Sequence, residues 1–551
     1  MFNPNKKKLA SFYTPRDLAQ VLTDWAIMDS HSTVLDPSFG GCAFLYAALE
    51  SLKKKGNKTP GAQVYGVDID PDAKNYLKPL FESSANPDQF VISDFFNVTP
   101  AGLKQDLFDA VVGNPPYIRY HNISDEAEIR AAKCLNEYDI KISGRASYWA
   151  YFLLYSMQFL KRGGRLAMIL PGALLHTDYS EKVRDLLKGF FRDVTIFLLE
   201  DRVFDSTQEE SVLVFADGAQ EPHQRLRVGA VSKISDLPKA LINGHATTKI
   251  ITHSKVDGEW LRALLESEVL SIYDEIAESD GFVRLGELVN IRIGVVTGNN
   301  NFFILSDDER KKLRIAKKYT IPIVRRPAKL KGLSVTDSDL NTIDTKQRNR
   351  LLAIKPDQAI DDHLREFFFA GEKLGISQAT KCRDRKPWFS VPETFVPHAF
   401  VPCMFASWPR LVINKSTYTC TNNILRLIWK EPKLCEDWLK LAVGTLSTFS
   451  QLSAELVGRS YGGGVLKLEP KELARLVVPL VDADIAMLIS PKLDSLLRDG
   501  KLMEATQLVD ATLVEAQIGL TAYSISKLRI ARDFLFIRRR HHRKDVEKIL
   551  G

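Results

Sequence analysis

Residues 113–120 read Gly-Asn-Pro-Pro-Tyr-Ile-Arg-Tyr and follow the apolar run Asp109-Ala110-Val111-Val112. Proline lacks an N–H and holds its own φ, and a residue before proline is driven to extended backbone, so Pro115 and Pro116 form a stiff turn off a strand end. The Asn114 side-chain oxygen and the Pro115 carbonyl then stay in place as acceptors for an exocyclic amine. Tyr117 offers a flat face to the ring that carries it. Drawing the nitrogen's lone pair out of ring conjugation turns it toward a methyl donor. A base stacked inside a duplex cannot enter such a pocket, so a nucleic-acid target must be flipped out.

Upstream, three apolar runs each end in an acid. The first is Leu35-Asp36-Pro37-Ser38-Phe39-Gly40-Gly41-Cys42, where Gly40 lets backbone N–H groups approach a ligand at the carboxyl edge of a sheet. A dinucleotide is disfavoured, because Gly-x-Gly-x-x-Gly is absent and Asp36 occupies the turn where a pyrophosphate needs neutral amides. The acid suits a cationic ligand such as the ammonium of S-adenosylmethionine. The second run ends Val67-Asp68-Ile69-Asp70, placing Asp68 to accept both ribose hydroxyls and Ile69 to lie against adenine. The third leads to Ser93-Asp94-Phe95, with Asp94 accepting from the cofactor's adenine amine and Phe95 packing beside it. Cys42 is expected to pack rather than react, since methyl transfer to an amine needs no covalent enzyme intermediate.

These residues need a scaffold that lines up strand ends. From residue 33 to about 216, β-branched runs alternate with helical patterns, which predicts an α/β domain with a doubly wound, mostly parallel sheet of seven strands. The expected strands are 33–36, 64–68, 90–92, 110–113, 166–170, 195–199 and 211–215. Tyr148 to Leu160 has helical spacing and is expected to stop at Arg162-Gly163-Gly164. The polar stretch 217–235 suggests a boundary. The resulting division is a catalytic domain at 1–235, a helical connector at 236–280, a mixed α+β domain at 281–480, and two amphipathic helices with a basic tail at 481–551. In the third segment basic and aromatic residues interleave, as at Arg325-Arg326-Pro327 and Arg383-Asp384-Arg385-Lys386-Pro387-Trp388-Phe389.

The composition is that of a globular chain of several domains: 551 residues, 45% hydrophobic and 26% charged. No apolar stretch approaches the roughly 18 residues of a membrane span, and a cytoplasmic protein is expected. Six cysteines have no Cys-x-x-Cys and no histidine at zinc spacing, so neither a disulfide frame nor a metal is indicated. The formal charge of +7 permits a polyanionic partner without requiring one.

With these motifs the chain resembles the gamma group of amino-directed DNA methyltransferases, the N6-adenine methylases of restriction-modification systems. In that family a Phe-x-Thr-Pro element comes first, here Phe12-Tyr13-Thr14-Pro15, followed by the cofactor motifs and Asn-Pro-Pro-Tyr. The resemblance implies a class I S-adenosylmethionine-dependent fold and a carboxyl-terminal target-recognition domain. It implies that Thr14, Pro15, Asp36, Pro37, Gly40, Asp68, Ile69, Asp94, Phe95 and Asn114 bind the cofactor. Asn114, Pro115, Pro116 and Tyr117 would then be catalytic, and Phe204 would close the other face of the flipped base. Arg325, Arg326, Arg383, Arg385, Lys386 and the loop Gly462-Gly463-Gly464 are the expected DNA contacts. Double-stranded DNA and a separate cognate restriction endonuclease are the implied partners. The near-terminal position of Thr14-Pro15 suggests that no nuclease domain precedes it. Amino methylation of RNA or of a protein glutamine, and a non-catalytic DNA-specificity subunit, are the alternatives. The long carboxyl-terminal half and the complete motif set weigh against them.

Overall fold

The computed structural model of the chain describes residues 14–82, 84–118, 123–142, 146–176, 178–199, 211–223, 225–231, 233–242, 248–250, 259–340, 346–431, 435–461, 464–516 and 520–540. It divides into two compact units, Met1–Leu265 and Glu266–Gly551.

In the first unit the strands are β1 (Val34–Asp36), β2 (Val64–Asp68), β3 (Phe90–Ile92), β4 (Phe108–Gly113), β5 (Leu160–Pro171), β6 (Phe191–Leu199), β7 (Ser211–Ala219), β8 (Arg225–Val231) and β9 (Thr248–Ile250). They form one sheet in the order β3-β2-β1-β4-β5-β7-β6-β8-β9. The first five in that order pair in parallel, while β7 runs antiparallel between β5 and β6. The order reverses at β1 and β4, so a crevice opens outside the carboxyl ends of those two strands. Asp36 and Gly113 end them.

The helices are α1 (Arg16–Ala26), α2 (Ala43–Lys54), α3 (Lys78–Glu82), α4 (Asp125–Asn136), α5 (Tyr148–Met157), α6 (Ala173–His176) and α7 (Asp178–Phe190). Alternation along the strands sends side chains to opposite faces of the sheet. Val34, Ala110 and Val112 join an apolar layer with Leu18 and Leu22 of α1 and Leu45 and Leu52 of α2. Leu35 and Val111 join the other layer, with Leu135 of α4, Phe152 of α5 and Leu187 of α7. Every residue of α5 is buried. Enclosing each such Leu or Phe is worth roughly 1.5–3 kcal/mol.

Three expectations are corrected. Among the described residues the sheet has nine strands rather than seven, because the chain beyond β7 returns, lays β8 parallel to β6 and adds β9 antiparallel to β8. The sheet therefore continues past residue 235 into the segment expected to be helical. Arg162-Gly163-Gly164 does not stop a helix: α5 ends at Met157, and the glycines lie within β5. There Phe108 pairs with Leu160 and Ala110 with Arg165, an irregularity that Gly163 accommodates with φ of 78°.

The second unit is mixed α+β. Its largest sheet orders Val289–Ile293, Ile424–Trp429, Ala399–Pro402, Val412–Lys415 and Ser334–Thr336, and a four-stranded sheet includes Thr320–Val324 and Arg350–Leu352. After residue 481 the described residues form three helices rather than two: Ala483–Arg498, Leu502–Glu515 and Ala522–Arg540. Among the described residues no helix is long and apolar enough to cross a membrane.

Candidate active site

The acids at the ends of β1 and β2 are tied to one glycine turn. Asp36 is 1% exposed, and its carboxylate accepts the Ser38 N–H at 3.0 Å. Burial, opposed by that N–H and reinforced by nearby Asp68, pushes its pKa up to about 8. Asp68 accepts the Gly40 N–H at 2.7 Å through one oxygen and the Asp70 N–H at 2.8 Å through the other. Burial also raises its pKa, with the backbone donors opposing. Gly40 has φ of 43°, so its turn needs a residue that tolerates left-handed backbone. Ile69 follows Asp68 and is 56% exposed, an apolar surface left open at the strand end.

Cys42 starts α2 in left-handed backbone and is fully buried. Its thiol pKa is raised by burial first, then by Asp36 and Asp68. It is therefore held as a protonated packing group.

The Asn-Pro-Pro-Tyr turn leaves β4 directly beside this cluster. A Cβ at Gly113 would sit 3.1 Å from the Asp36 carboxylate, so a glycine lets the two strand ends approach. The Asn114 carbonyl accepts the Ser38 hydroxyl at 3.2 Å, and the Asn114 amide nitrogen lies 3.4 Å from the Thr14 hydroxyl. Residues one hundred positions apart thus meet, and Pro15 caps α1 behind them. The Asn114 side-chain oxygen is buried and accepts no hydrogen bond among the described residues. A buried acceptor without a donor is costly unless a ligand completes it. Pro115 is buried, Pro116 is half-buried, and Tyr117 packs partly against the core. Pro37 lies close to the same crossing, 3.5 Å from the Gly113 Cβ position.

Asp94 follows β3 and accepts the Phe96 N–H at 3.1 Å. Its other oxygen pairs with Arg130 of α4. No local signal pointed to Arg130, because its partner lies 36 positions away. Phe95 is corrected: its ring is 3% exposed, with Phe152 and Phe159 rings at 4.8 and 5.0 Å, so the side chain belongs to the core rather than to a ligand face. Phe204 lies outside the described residues.

In the second unit the expected DNA contacts separate. Arg326, Arg383 and Lys386 are exposed. Arg325 is half-buried, and burial first, then the charges of Arg348 and Arg326, lowers its pKa. Arg385 is corrected: its guanidinium donates to the Thr297 carbonyl at 2.9 Å and the Val296 carbonyl at 2.6 Å, stitching its loop to a neighbouring one. Gly464 is corrected too. It is buried at φ of 73°, its carbonyl accepts from Arg539, and a Cβ there would meet the Arg540 Cα at 2.8 Å. It makes room for the last helix. Gly462 and Gly463 lie outside the described residues.

A parallel sheet with an inserted antiparallel β7, a glycine turn after β1 and acids ending β1 and β2 define a class I S-adenosylmethionine-dependent methyltransferase fold, here extended by β8 and β9. Residues 1–241 match the family described as N-6 DNA Methylase, and residues 257–514 match the carboxyl-terminal domain of Type II methyltransferase M.Eco57I. Both matches are to DNA methyltransferases, and between them they span most of the chain. It is 24% identical to Type II methyltransferase M.AccI of Acinetobacter calcoaceticus, over 85% of each chain. It is 25% identical to Type II methyltransferase M.XamI of Xanthomonas campestris pv. amaranthicola, over 86% of each. Among solved structures, the Type IIL restriction-modification enzyme MmeI in complex with DNA shares the fold at a TM-score of 0.51 and 12% identity, over 97% of this chain and 75% of that one.

Proposed function

We propose that this chain transfers the methyl group of S-adenosylmethionine to adenine N6 in duplex DNA, at a short fixed sequence and on a flipped-out base. It would act in the cytoplasm as the modification component of a restriction-modification system, with a separate cognate endonuclease as functional partner. The observation that carries this reading is the buried Asn114 side-chain oxygen at the end of β4, an acceptor without a donor among the described residues. An exocyclic amine supplies the missing donor.

The residues around the crevice fit the cofactor. Asp36 is a buried acid suited to an ammonium, Asp68 a carboxylate on the glycine turn suited to a ribose, and Ile69 an open apolar side chain suited to a purine face. S-Adenosylmethionine would supply a sulfonium methyl group ready for transfer. Asn114 and the Pro115 carbonyl would hold the amine by its hydrogens, directing its lone pair away from the ring, while Tyr117 stacks on the base. Catalysis would then be alignment plus stabilisation of the charge developing on the nitrogen, with the proton leaving after the methyl group has moved. The names of M.AccI and M.XamI as Type II methyltransferases, and of MmeI as a restriction-modification enzyme solved with DNA, support the substrate assignment.

The test is product analysis. Purified protein, methyl-labelled cofactor and mixed-sequence duplex DNA should yield labelled N6-methyladenine at one recurring sequence. Label in N4-methylcytosine would overturn the target base, and label confined to RNA or to protein glutamine would overturn the substrate class.

A further inference from the structure

The turn that leaves β4 has few polar handles of its own. A peptide nitrogen that belongs to proline carries no hydrogen, so the Asn114–Pro115 and Pro115–Pro116 peptide units offer only carbonyls. Pro115 is held by its own ring and by the proline after it, so the aim of its carbonyl rests on the Asn114–Pro115 plane. That plane is gripped from the glycine turn after β1, where the Ser38 hydroxyl donates to the Asn114 carbonyl at 3.2 Å across 76 positions of sequence. Ser38 is itself pinned to two strand ends. Its N–H donates to the Asp36 carboxylate at 3.0 Å, and the next N–H, that of Phe39, donates to the Val67 carbonyl of β2 at 3.3 Å. The Asn114 side chain meets a different residue, Thr14, so the backbone and the amide of Asn114 are held separately.

We propose that Ser38 is a positioning residue for methyl transfer: its hydroxyl fixes the Asn114–Pro115 peptide plane, and with it the Pro115 carbonyl that takes the target amine, while the cofactor is held by other groups. This rests on the target-pocket reading above. Without the hydroxyl the Asn114 carbonyl loses this donor and the plane is free to rock at the strand end. The Asn114 side-chain oxygen and the Pro115 carbonyl then no longer converge on one nitrogen, and the amine sits out of line with the methyl donor. Misalignment of this kind acts on turnover more than on binding. Asp36 and Asp68 keep their backbone donors, so cofactor affinity is spared. A purely structural role would lower stability and leave the turnover of folded protein alone.

The test uses the full-length protein with its Ser38→Ala and Ser38→Thr variants, methyl-labelled S-adenosylmethionine and unmethylated genomic duplex DNA. Ser38→Ala should lower kcat by roughly tenfold or more while KM for DNA moves by less than about threefold. Calorimetric affinity of Ser38→Ala for S-adenosylhomocysteine should stay within about twofold of the unaltered protein. Ser38→Thr keeps a hydroxyl and should recover most of the lost turnover. Amide exchange reads the same effect without any ligand: the Tyr117 and Ile118 N–H groups should exchange faster in Ser38→Ala than in the unaltered protein. Unchanged kcat and unchanged exchange in Ser38→Ala overturn the proposal, and so does a Ser38→Thr variant that folds but is as slow as Ser38→Ala. Loss of S-adenosylhomocysteine binding in Ser38→Ala also overturns it, by making the hydroxyl a cofactor contact. An unaltered protein that transfers no methyl group to DNA removes the target-pocket reading itself, and unchanged exchange in Ser38→Ala would then remove the grip on the turn as well.

Discussion

At the scale of single residues, the site is a set of polar atoms whose burial leaves each one a specific demand. Asn114 presents a buried acceptor with no donor among the described residues, so Asn114→Ala should remove the proposed contact to the target amine without touching Asp36 and Asp68. Methyl transfer is expected to fall by roughly a hundredfold or more. Calorimetric affinity for S-adenosylhomocysteine should stay within about twofold, since less than 0.5 kcal/mol is at stake. Asp36 makes a different demand. Its pKa rises from an ordinary 3.8 to about 8, so in the free protein it is largely protonated at neutral pH. Pairing with an ammonium requires the carboxylate, so binding expels a proton and affinity should climb as pH rises toward about 8, then level off. Asp36→Asn should bind more weakly and flatten that slope. The same shift acts on stability. The unfolded chain loses this proton near pH 4 and the folded chain keeps it, so the contribution of Asp36 is fully present below about pH 4 and lost as pH rises through about 8. Urea titrations of the ligand-free protein at several pH values, set against Asp36→Asn, measure it.

At the scale of elements, several residues that look like ligand contacts hold loops and helices together. Arg385 supplies both donors to the Thr297 and Val296 carbonyls, so Arg385→Ala should destabilise its unit by about 1–3 kcal/mol in denaturant unfolding. Arg383→Ala and Lys386→Ala, at exposed positions, should stay within about 0.5 kcal/mol. The last helix is docked by Arg539 and Glu455, paired at 2.7 Å with both side chains 3% exposed. Glu455→Gln leaves a buried guanidinium short of its counter-charge, and a loss of about 3–5 kcal/mol is expected. Part of the basic run at 538–540 is thus internal charge.

At the scale of the whole molecule, the excess of positive charge is small and its placement matters more than its sum. Exposed Arg326, Arg383 and Lys386 can exchange counterions for phosphates, whereas the proposed cofactor crevice holds the buried acids Asp36 and Asp68. Affinity of the full chain for duplex DNA should therefore fall steeply, by about tenfold or more, between about 50 and 200 mM salt. Affinity for S-adenosylhomocysteine over the same range should change little, because the acids proposed to hold it are buried and would act at short range. Fluorescence anisotropy and calorimetry on one preparation give both slopes, and parallel slopes would contradict this separation of roles.

What the sequence alone determined is local. Proline stiffness, glycine turns and acids at strand ends are written in contiguous residues, so β2 and β3 appear with the expected bounds and Asp36, Asp68 and Asn114 gather at the expected strand ends. What only the tertiary structure decided is which partner each side chain meets. Phe95 turned to the core because α5 and the turn just before β5 offer it Phe152 and Phe159. Asp94 acquired Arg130 from a helix far along the chain, and Gly464 acquired the last helix. The strands β8 and β9 joined the sheet because β6 would otherwise have been an edge with unpaired backbone, a demand that no window of residues displays. A run of residues sets its own backbone preferences, but burial and pairing are settled by neighbours that only folding brings near.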